Sequence, residues 1–587
     1  MMFSYIEKIA SLMSEADKDE YRRIYAPRVV AVPPADSRRD ICVCEDGEIR
    51  AYGVRNKKNP FDEESGERMY IYSRDGGLTW KAHKAEAGDI GACVKIPWTG
   101  KYVTIFVMKN EKNGKPVTCR LLSNIGPGDT APDIAPIPGA TICIDVFQPY
   151  MLDDLRRIVC AAYHRDSVGC YHPHILISDD DGMSFSVKDL TSPPRFEIKW
   201  PHKGPRWENN GSEPSLTRLA DGRLWMVIRT SQDYMYEYFS SDNGDSWQGP
   251  MQSRFHMTLT TPFVYTLRDG RTLLFWNNTH PLPEIDKETF EPRISEDGRK
   301  GIWEDVFTNR DISHAAVTED SGKTFIGCRE TYMSPIRNSV YYRSAGNYNS
   351  SADKSAHQHQ AIELPYGKIL LSVGQHEVTR RILIFDVRWL YEKERSELFR
   401  EGLEHVSTHG YIKSYCESHT NEGPGHCQWN RVSTVYPVPD PSGNSYREVQ
   451  QFVYSDDPRL VSGLSGMAWN YPACESGHIE LELYRAKSGL RISLADTWIN
   501  PTDETVYAFA KFSFEADESV LPEKEWITLW IEFDTVKGKL EYGIGDKKIG
   551  EADKLSDAPL GVSYLHLQTL ARDRDFEGAY LREIRKS

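Results

Sequence analysis

The octet SRDGGLTW at Ser73–Trp80 decides the architecture of this chain. It returns in relaxed form as SDDDGMSF from Ser178, SSDNGDSW from Ser240 and TEDSGKTF from Thr318. Each copy begins where an apolar run ends (YIYS, ILIS, YEYFS, AAVT), sets Asp and then Gly at turn positions, and closes on an aromatic. Asp side chains bond backbone amides within a turn, and Gly accepts the left-handed conformation without a Cβ penalty. The pattern therefore predicts a β-hairpin with the aromatic tucked beneath its turn. A lone octet arises by chance; four in register mark a repeat.

A second phrase precedes the octets: an apolar strand, a Gly-containing turn, then another strand. It reads CVCEDGEIRAYG from Cys42, TRLADGRLWMVIR from Thr217, YTLRDGRTLLFWNN from Tyr265 and IELPYGKILLSVG from Ile362. The two phrases together describe a four-stranded antiparallel unit of the kind that propellers repeat radially. Six such units fit over residues 25–395, which predicts an all-β, six-bladed β-propeller. The early segment APRVVAVP from Ala26 is expected to pair with RRILIFDVRWL from Arg380, closing the ring and removing an exposed edge.

Working outward, residues 1–24 read as a short amphipathic helix and EKERSELFREGLEHV from Glu392 as the start of a helical linker over 396–441. From 442 to 587 the sequence changes to alternating strands such as HIELELYRA and WITLWIEFD, which predicts a jelly-roll or concanavalin-like β-sandwich. A chain of 587 residues needs two such domains, because single cores stop growing beyond roughly 250–300 residues.

Composition narrows the function. A net charge of −15, spread along the chain, repels phosphate backbones and anionic lipid, so neither nucleic acid nor membrane is expected as a partner. No stretch approaches a membrane span. The 14 Trp supply flat faces of the sort that stack on sugars. Eleven Cys with no CxxC pair fit reduced thiols, and the amino-terminal stretch lacks the apolar run of a signal peptide, so a cytoplasmic setting is expected unless a leader has been removed. Homo-oligomers are left open, and the carboxy-terminal domain has two readings, sugar binding or a buttress and dimer contact.

Octets and hairpins together resemble the sialidase/neuraminidase superfamily of BNR, or Asp-box, propellers over roughly residues 25–395. The octet is structural and implies fold rather than chemistry. The resemblance implies a carbohydrate substrate and a site in which three Arg grip a sugar carboxylate, a Tyr activated by Glu is the nucleophile, and an Asp is acid and base. Residue by residue, Glu213 in NNGSEPSLTR and Arg229 match the activating Glu and the second Arg. Arg310, eight residues before an octet, matches the third. Asp62, beside Glu63 and Glu64 in a loop before the first octet, matches the acid and base.

Two positions depart from that pattern. Where the family has Phe-Arg-Ile-Pro this chain has IYAP at Ile24–Pro27, so Tyr25 replaces the first Arg, with Arg28 the nearest cation on the same strand and Arg23 just before it. Where the family has its Tyr, ahead of the last hairpin, the sequence is SAHQHQAIE, with Gln358 flanked by His357 and His359. Tyr341, Tyr342 and Tyr348 lie upstream in an apparent insertion, and of these Tyr348 is the candidate to fold back. On a strand His357 and His359 face the same side. They are candidates for a general base, or for a divalent metal site together with His280, His314 or His376. No other cofactor is expected.

Three readings follow. The first is a sialidase-type glycoside hydrolase with Asp62 as acid and base, Glu213 as activator or base, and Arg229 and Arg310 holding an acidic sugar. The second is a propeller-fold lyase using His357 or His359 with a Tyr on a uronate. The third is a carbohydrate-binding propeller without catalysis.

Overall fold

The structure, a computed structural model, describes residues 14, 24–34, 41–55, 66–85, 93–107, 117–122, 143–147, 149–165, 171–197, 210–280, 310–340, 355–374, 380–412, 430–443, 446–505 and 508–587. The expected amino-terminal helix falls outside them apart from Ser14 and Ile24. Described residues hold no helix long and apolar enough to cross a membrane. The architecture is all-β.

The octet turns form as their chemistry requires. In the first, the Ser73 hydroxyl accepts the Gly77 amide at 2.8 Å while Asp75 Oδ1 accepts the Leu78 and Thr79 amides at 3.0 and 2.9 Å. The Trp80 indole returns to the Gly77 carbonyl at 2.8 Å. Gly77 is needed twice over: its φ is +87°, and a Cβ there would stand 2.7 Å from Leu370 of a neighbouring sheet. Asp180, Asp242 and Asp320 bond the Ser184, Ser246 and Thr324 amides, each at 2.8 Å.

Each octet joins the third and fourth strands of a sheet, and each Gly-containing phrase joins a first and second. The strands Asn210–Arg218, Leu224–Thr230, Tyr234–Ser240 and Gln248–His256 pair in sequence order, as do Phe263–Thr266, Thr272–Trp276, Ile312–Thr318 and Ile326–Met333. Among the described residues, six antiparallel sheets lie between Arg28 and Asp386. In the last, Gln360–Glu363, Lys368–Val373 and Arg381–Asp386 are completed by Arg28–Ala31 from the start of the chain, with Arg28 opposite Ile384. The pairing expected of APRVVAVP therefore forms. Apolar clusters fill the spaces between successive sheets; one runs from Phe275 and Val317 to Leu371 and Phe385.

Among the described residues of the expected helical linker no helix forms. Among its described residues, Arg395–Glu397 adds a strand to Asp575–Lys586, and His409–Ile412 pairs with Asn430–Ser433. The Glu397 carboxylate takes the Phe399 amide at 2.7 Å, and Phe399 has φ +53°, which stops a helix where the sequence otherwise favours one. Beyond it, an eight-stranded sheet and a four-stranded sheet enclose one apolar cluster that includes Phe452, Leu481 and Leu529 from the first and Trp469, Leu494 and Leu565 from the second.

Polar contacts tie this half to the sheet bearing Ile312–Met333. The Asn470 amide donates to the Cys328 carbonyl at 3.1 Å, and Tyr564 bonds both His314 at 2.5 Å and Glu330 at 2.7 Å.

Candidate functional site

Antiparallel meanders bring the starts of their first and third strands and the ends of their second to one rim. Glu213 lies near the start of a first strand and Arg229 at the end of the second; Thr261 precedes a first strand, Arg310 a third and His357–His359 another first. Alternating chain direction thus collects them at the same end of three neighbouring sheets, and they touch.

Glu213 is the centre. Its Oε2 accepts hydrogen bonds from the Arg229 guanidinium and, at 2.5 Å, from the Thr261 hydroxyl; Oε1 accepts the Gln358 amide at 3.3 Å. Burial alone pushes the carboxyl up, but Arg229, the Thr261 hydroxyl and Arg310 outweigh it, so Glu213 is held below the usual carboxylate range and is an anion at neutral pH. Its backbone is unusual as well. Register slips between Ser212 and Ser215, and Glu213 has φ +48° immediately before Pro214. Such a bulge turns a side chain out of the strand's alternation, at a cost of about 1–3 kcal/mol in backbone strain. Gln358 is also left-handed, at φ +57°.

Arg310 and Arg229 are almost wholly buried. The Arg310 carbonyl accepts the Ala356 amide at 2.5 Å, and Asn277 bridges the two segments by donating to the Ala356 carbonyl at 3.2 Å. That clamp lays His357 on the guanidinium, with Arg310 Nη2 2.5 Å from His357 Nε2. A guanidinium carries donors alone, so this nitrogen must present its lone pair, and His357 is the acceptor. Arg229 bonds the Glu213 carboxylate directly, and Arg310 acts on it through its charge.

His359 does not share the site with His357. Its Nδ1 donates to the Thr261 carbonyl at 3.2 Å and its Nε2 meets the Ser313 hydroxyl at 2.9 Å. With a carbonyl at one nitrogen and a hydroxyl at the other, in a side chain of 0% exposure, His359 is a brace for Thr261 and not a general base. The left-handed Gln358 between the two histidines breaks the alternation that would have put both on one face.

Among the described residues the candidate metal site around them does not assemble. A dication at His357 would lie against the Arg310 cation. His314 takes the Asn278 amide at 3.1 Å and bonds Tyr564, and His280 packs at a tilt against Phe509 with ring centroids 3.7 Å apart. His376 lies outside the described residues. Metal-type donors that do converge among the described residues are His164, His174 and Asp189, on another sheet.

Tyr25 and Arg28 stand apart from the site. Their strand is the far edge of the sheet that begins at Gln360, three strand spacings or about 14 Å away. Register puts Ala31, not Tyr25, level with Gln360. The Tyr25 carbonyl accepts the Asp386 amide at 3.1 Å, and its ring lies under Arg388, at the opposite end of the strands. Asp62 and Tyr348 are outside the described residues, as are Tyr341 and Tyr342. Thr261, Ser313 and Asn277 were missed by the sequence reading, since a Thr before a strand and an Asn after one carry no periodic signal.

Residues 144–326 match the BNR repeat-like domain. That span carries a BNR repeat-like domain. The matched span contains the octets from Ser178, Ser240 and Thr318 together with Glu213, Arg229, Thr261 and Arg310. The first octet and the His357–His359 segment lie outside it. No curated protein matches the chain significantly.

Several solved structures align with it. A Dyadobacter fermentans protein of unknown function is 15% identical over 61% of this chain and 98% of its own, with a TM-score of 0.37. A mutant of Trypanosoma rangeli sialidase displaying trans-sialidase activity is 12% identical over 96% of this chain and 91% of its own, with a TM-score of 0.36. The exo-β-1,3-galactanase of Phanerochaete chrysosporium is 10% identical over 96% of this chain and 100% of its own, with a TM-score of 0.34.

A second buried charge group lies beside the first. Asp311, next in sequence to Arg310, is flanked by Arg337 at 3.0 Å and Arg431 at 2.8 Å, all three buried. Burial pushes Asp311 up, and the two guanidinium groups bring it below its usual range. This group pins the Asn430–Ser433 strand to the segment that carries Arg310, so the carboxy-terminal half helps to fix the position of one site residue.

Proposed function

We propose that this protein is a carbohydrate-active member of the sialidase superfamily and a glycoside hydrolase acting on an acidic sugar. In this reading the six sheets from Arg28 to Asp386 are the blades of a six-bladed propeller. Arg28–Ala31 closes the ring, and the two carboxy-terminal sheets form a jelly-roll-like sandwich.

The observation that supports it is the convergence of two buried guanidinium groups on Glu213, Arg229 by a direct ion pair and Arg310 through its charge. Planar Arg forks match the bidentate geometry of a sugar carboxylate. Glu213, ionised and fixed by Thr261 and Arg229, is then the group that takes a proton from the attacking nucleophile. Asp62 is assigned the acid role at the leaving oxygen. A glycosidase needs both carboxyl groups across the bond.

A second reading is a propeller that binds sugar without cleaving it. It is favoured by Gln358, whose amide faces Glu213 where the superfamily resemblance places a nucleophilic Tyr hydroxyl; an amide can orient a ligand but cannot attack it. Of the two bases offered for elimination, His359 is committed to Thr261 and Ser313, and His357 Nε2 accepts from Arg310.

The test is incubation of the full chain with sialylated, uronate-containing and neutral oligosaccharides. Release of reducing sugar that Glu213→Gln abolishes supports the hydrolase. Sugar binding without release supports the second reading, and an unsaturated product absorbing in the ultraviolet overturns both.

A further inference from the structure

His164, His174 and Asp189 stand on three successive strands, Arg157–Arg165, Tyr171–Ser178 and Ser186–Asp189. Register explains why they meet. His174 is directly opposite Asp189 on one side and Ala162 on the other, which makes His164 its diagonal neighbour. Cross-strand and diagonal partners two residues apart share a face of the sheet, so all three side chains rise from the same one. His172, opposite His164, belongs to that face too.

We infer that His164, His174 and Asp189 form a divalent metal site of the borderline class that takes Zn²⁺, separate from the site around Glu213. Three observations carry this. His164 Nδ1 and His174 Nδ1 are 3.4 Å apart. Two imidazole nitrogens at about 2.0–2.1 Å from a tetrahedral Zn²⁺ are separated by about 3.4 Å, so the rings already stand at the span a metal imposes. The Asp189 carboxylate completes a group whose donor atoms all lie within 4.8 Å of one another, and its exposed side chain is free to close the remainder. His174 is itself only 2% exposed, and its Nε2 has no hydrogen-bond partner, so a buried imidazole here has only part of its hydrogen-bonding capacity met.

The surroundings fit a ligand set. His172 stacks on His164 with centroids 5.0 Å apart and is fixed by the Ser192 hydroxyl at 2.7 Å, which orients the more exposed of the two ligating rings. Two imidazoles and one carboxylate leave a fourth tetrahedral position open to solvent or substrate. The same donors favour Zn²⁺, Co²⁺, Ni²⁺ and Cu²⁺ over Mg²⁺ or Ca²⁺, which prefer oxygen. The site would also brace the adjoining sheet: the Tyr171 amide donates to Asn210 Oδ1 at 3.1 Å, three residues before Glu213.

The test uses the full chain without an affinity tag, treated with a chelator and titrated with ZnCl₂ by calorimetry and with CoCl₂ by visible absorption. One equivalent of Zn²⁺, and Co²⁺ bands of tetrahedral intensity, are expected. Asp189→Asn and His164→Gln, both at partly or fully exposed positions, should each weaken Zn²⁺ binding at least tenfold and remove the Co²⁺ bands, while circular dichroism stays that of the wild type. Zn²⁺ should raise the melting temperature of the wild type and not of either variant. No stoichiometric uptake, or one equivalent bound equally well by all three proteins, overturns the proposal.

Discussion

The Thr261 hydroxyl donates to Glu213 Oε2 at 2.5 Å, while the carbonyl of the same residue accepts His359 Nδ1 at 3.2 Å. A carboxylate on one sheet is thereby fixed by a threonine from the next and a histidine from the one after. Thr261→Val keeps the shape and removes the donor. Hydrogen bonds to charged groups are worth about 1.5–3 kcal/mol, so the variant should lose roughly that much stability in urea unfolding. Thr261→Ser, which restores the hydroxyl, should recover most of it.

Glu213 gives a sharper test because two effects coincide. Glu213→Gln removes the charge from the buried ion pair with Arg229, and breaking a buried pair on one side costs about 3–5 kcal/mol. The pH dependence has a defined sign. Since Arg229, Thr261 and Arg310 hold the folded carboxyl below its ordinary value, its contribution is complete above the ordinary carboxylate range and is lost as pH falls through the folded value. The stability gap between wild type and Glu213→Gln should therefore be widest near neutral pH and narrow under acid, as measured by denaturant unfolding over a pH series.

The contrast between fold and site in what the sequence made legible has a physical cause. The octet at Ser73 and its relatives are self-contained: Asp75 satisfies amides three and four residues away, so the turn can be read from eight letters. The hairpins are equally local. The site is not. Arg229 and Glu213 could be found because they lie on one hairpin, but Thr261 and His359 enter through contacts between sheets. Tyr25 was placed wrongly for a related reason. Strand identity was correct, yet nothing in IYAP says that the strand is the outer edge of its sheet, facing Arg388 instead of Gln358. The helix expected after Glu392 failed because pairing with Asp575–Lys586 overrode local helix propensity.

His359 should behave as a positioning residue. Its two ring nitrogens are taken by Thr261 and Ser313, so His359→Gln is expected to lower sugar turnover by loosening Thr261 without moving the acid limb of the pH–rate profile. A shift of that limb, or loss of an ultraviolet-absorbing elimination product, would instead make His359 a proton-transfer group.

The octets supply the last prediction and the control for the others. Asp242 accepts the Ser246 amide at 2.8 Å and the Ser246 hydroxyl at 2.5 Å, and these contacts, led by the hydroxyl, bring its carboxyl down to about 2. A depressed folded value means that the turn is strengthened above the ordinary Asp range, near pH 3.9, and that this gain disappears as pH falls towards about 2. The carboxylate is exposed, so solvent screens the gain and only a modest fall in melting temperature is expected for Asp242→Ala at pH 7, closing towards pH 2. The turn stands at the end of its strands opposite Glu213, and neither the Arg229 nor the Thr261 contact passes through it. Sugar binding and turnover should therefore be those of the wild type at temperatures where both proteins are folded. A drop in turnover comparable with that of Glu213→Gln would show instead that these turns govern the geometry of the opposite rim.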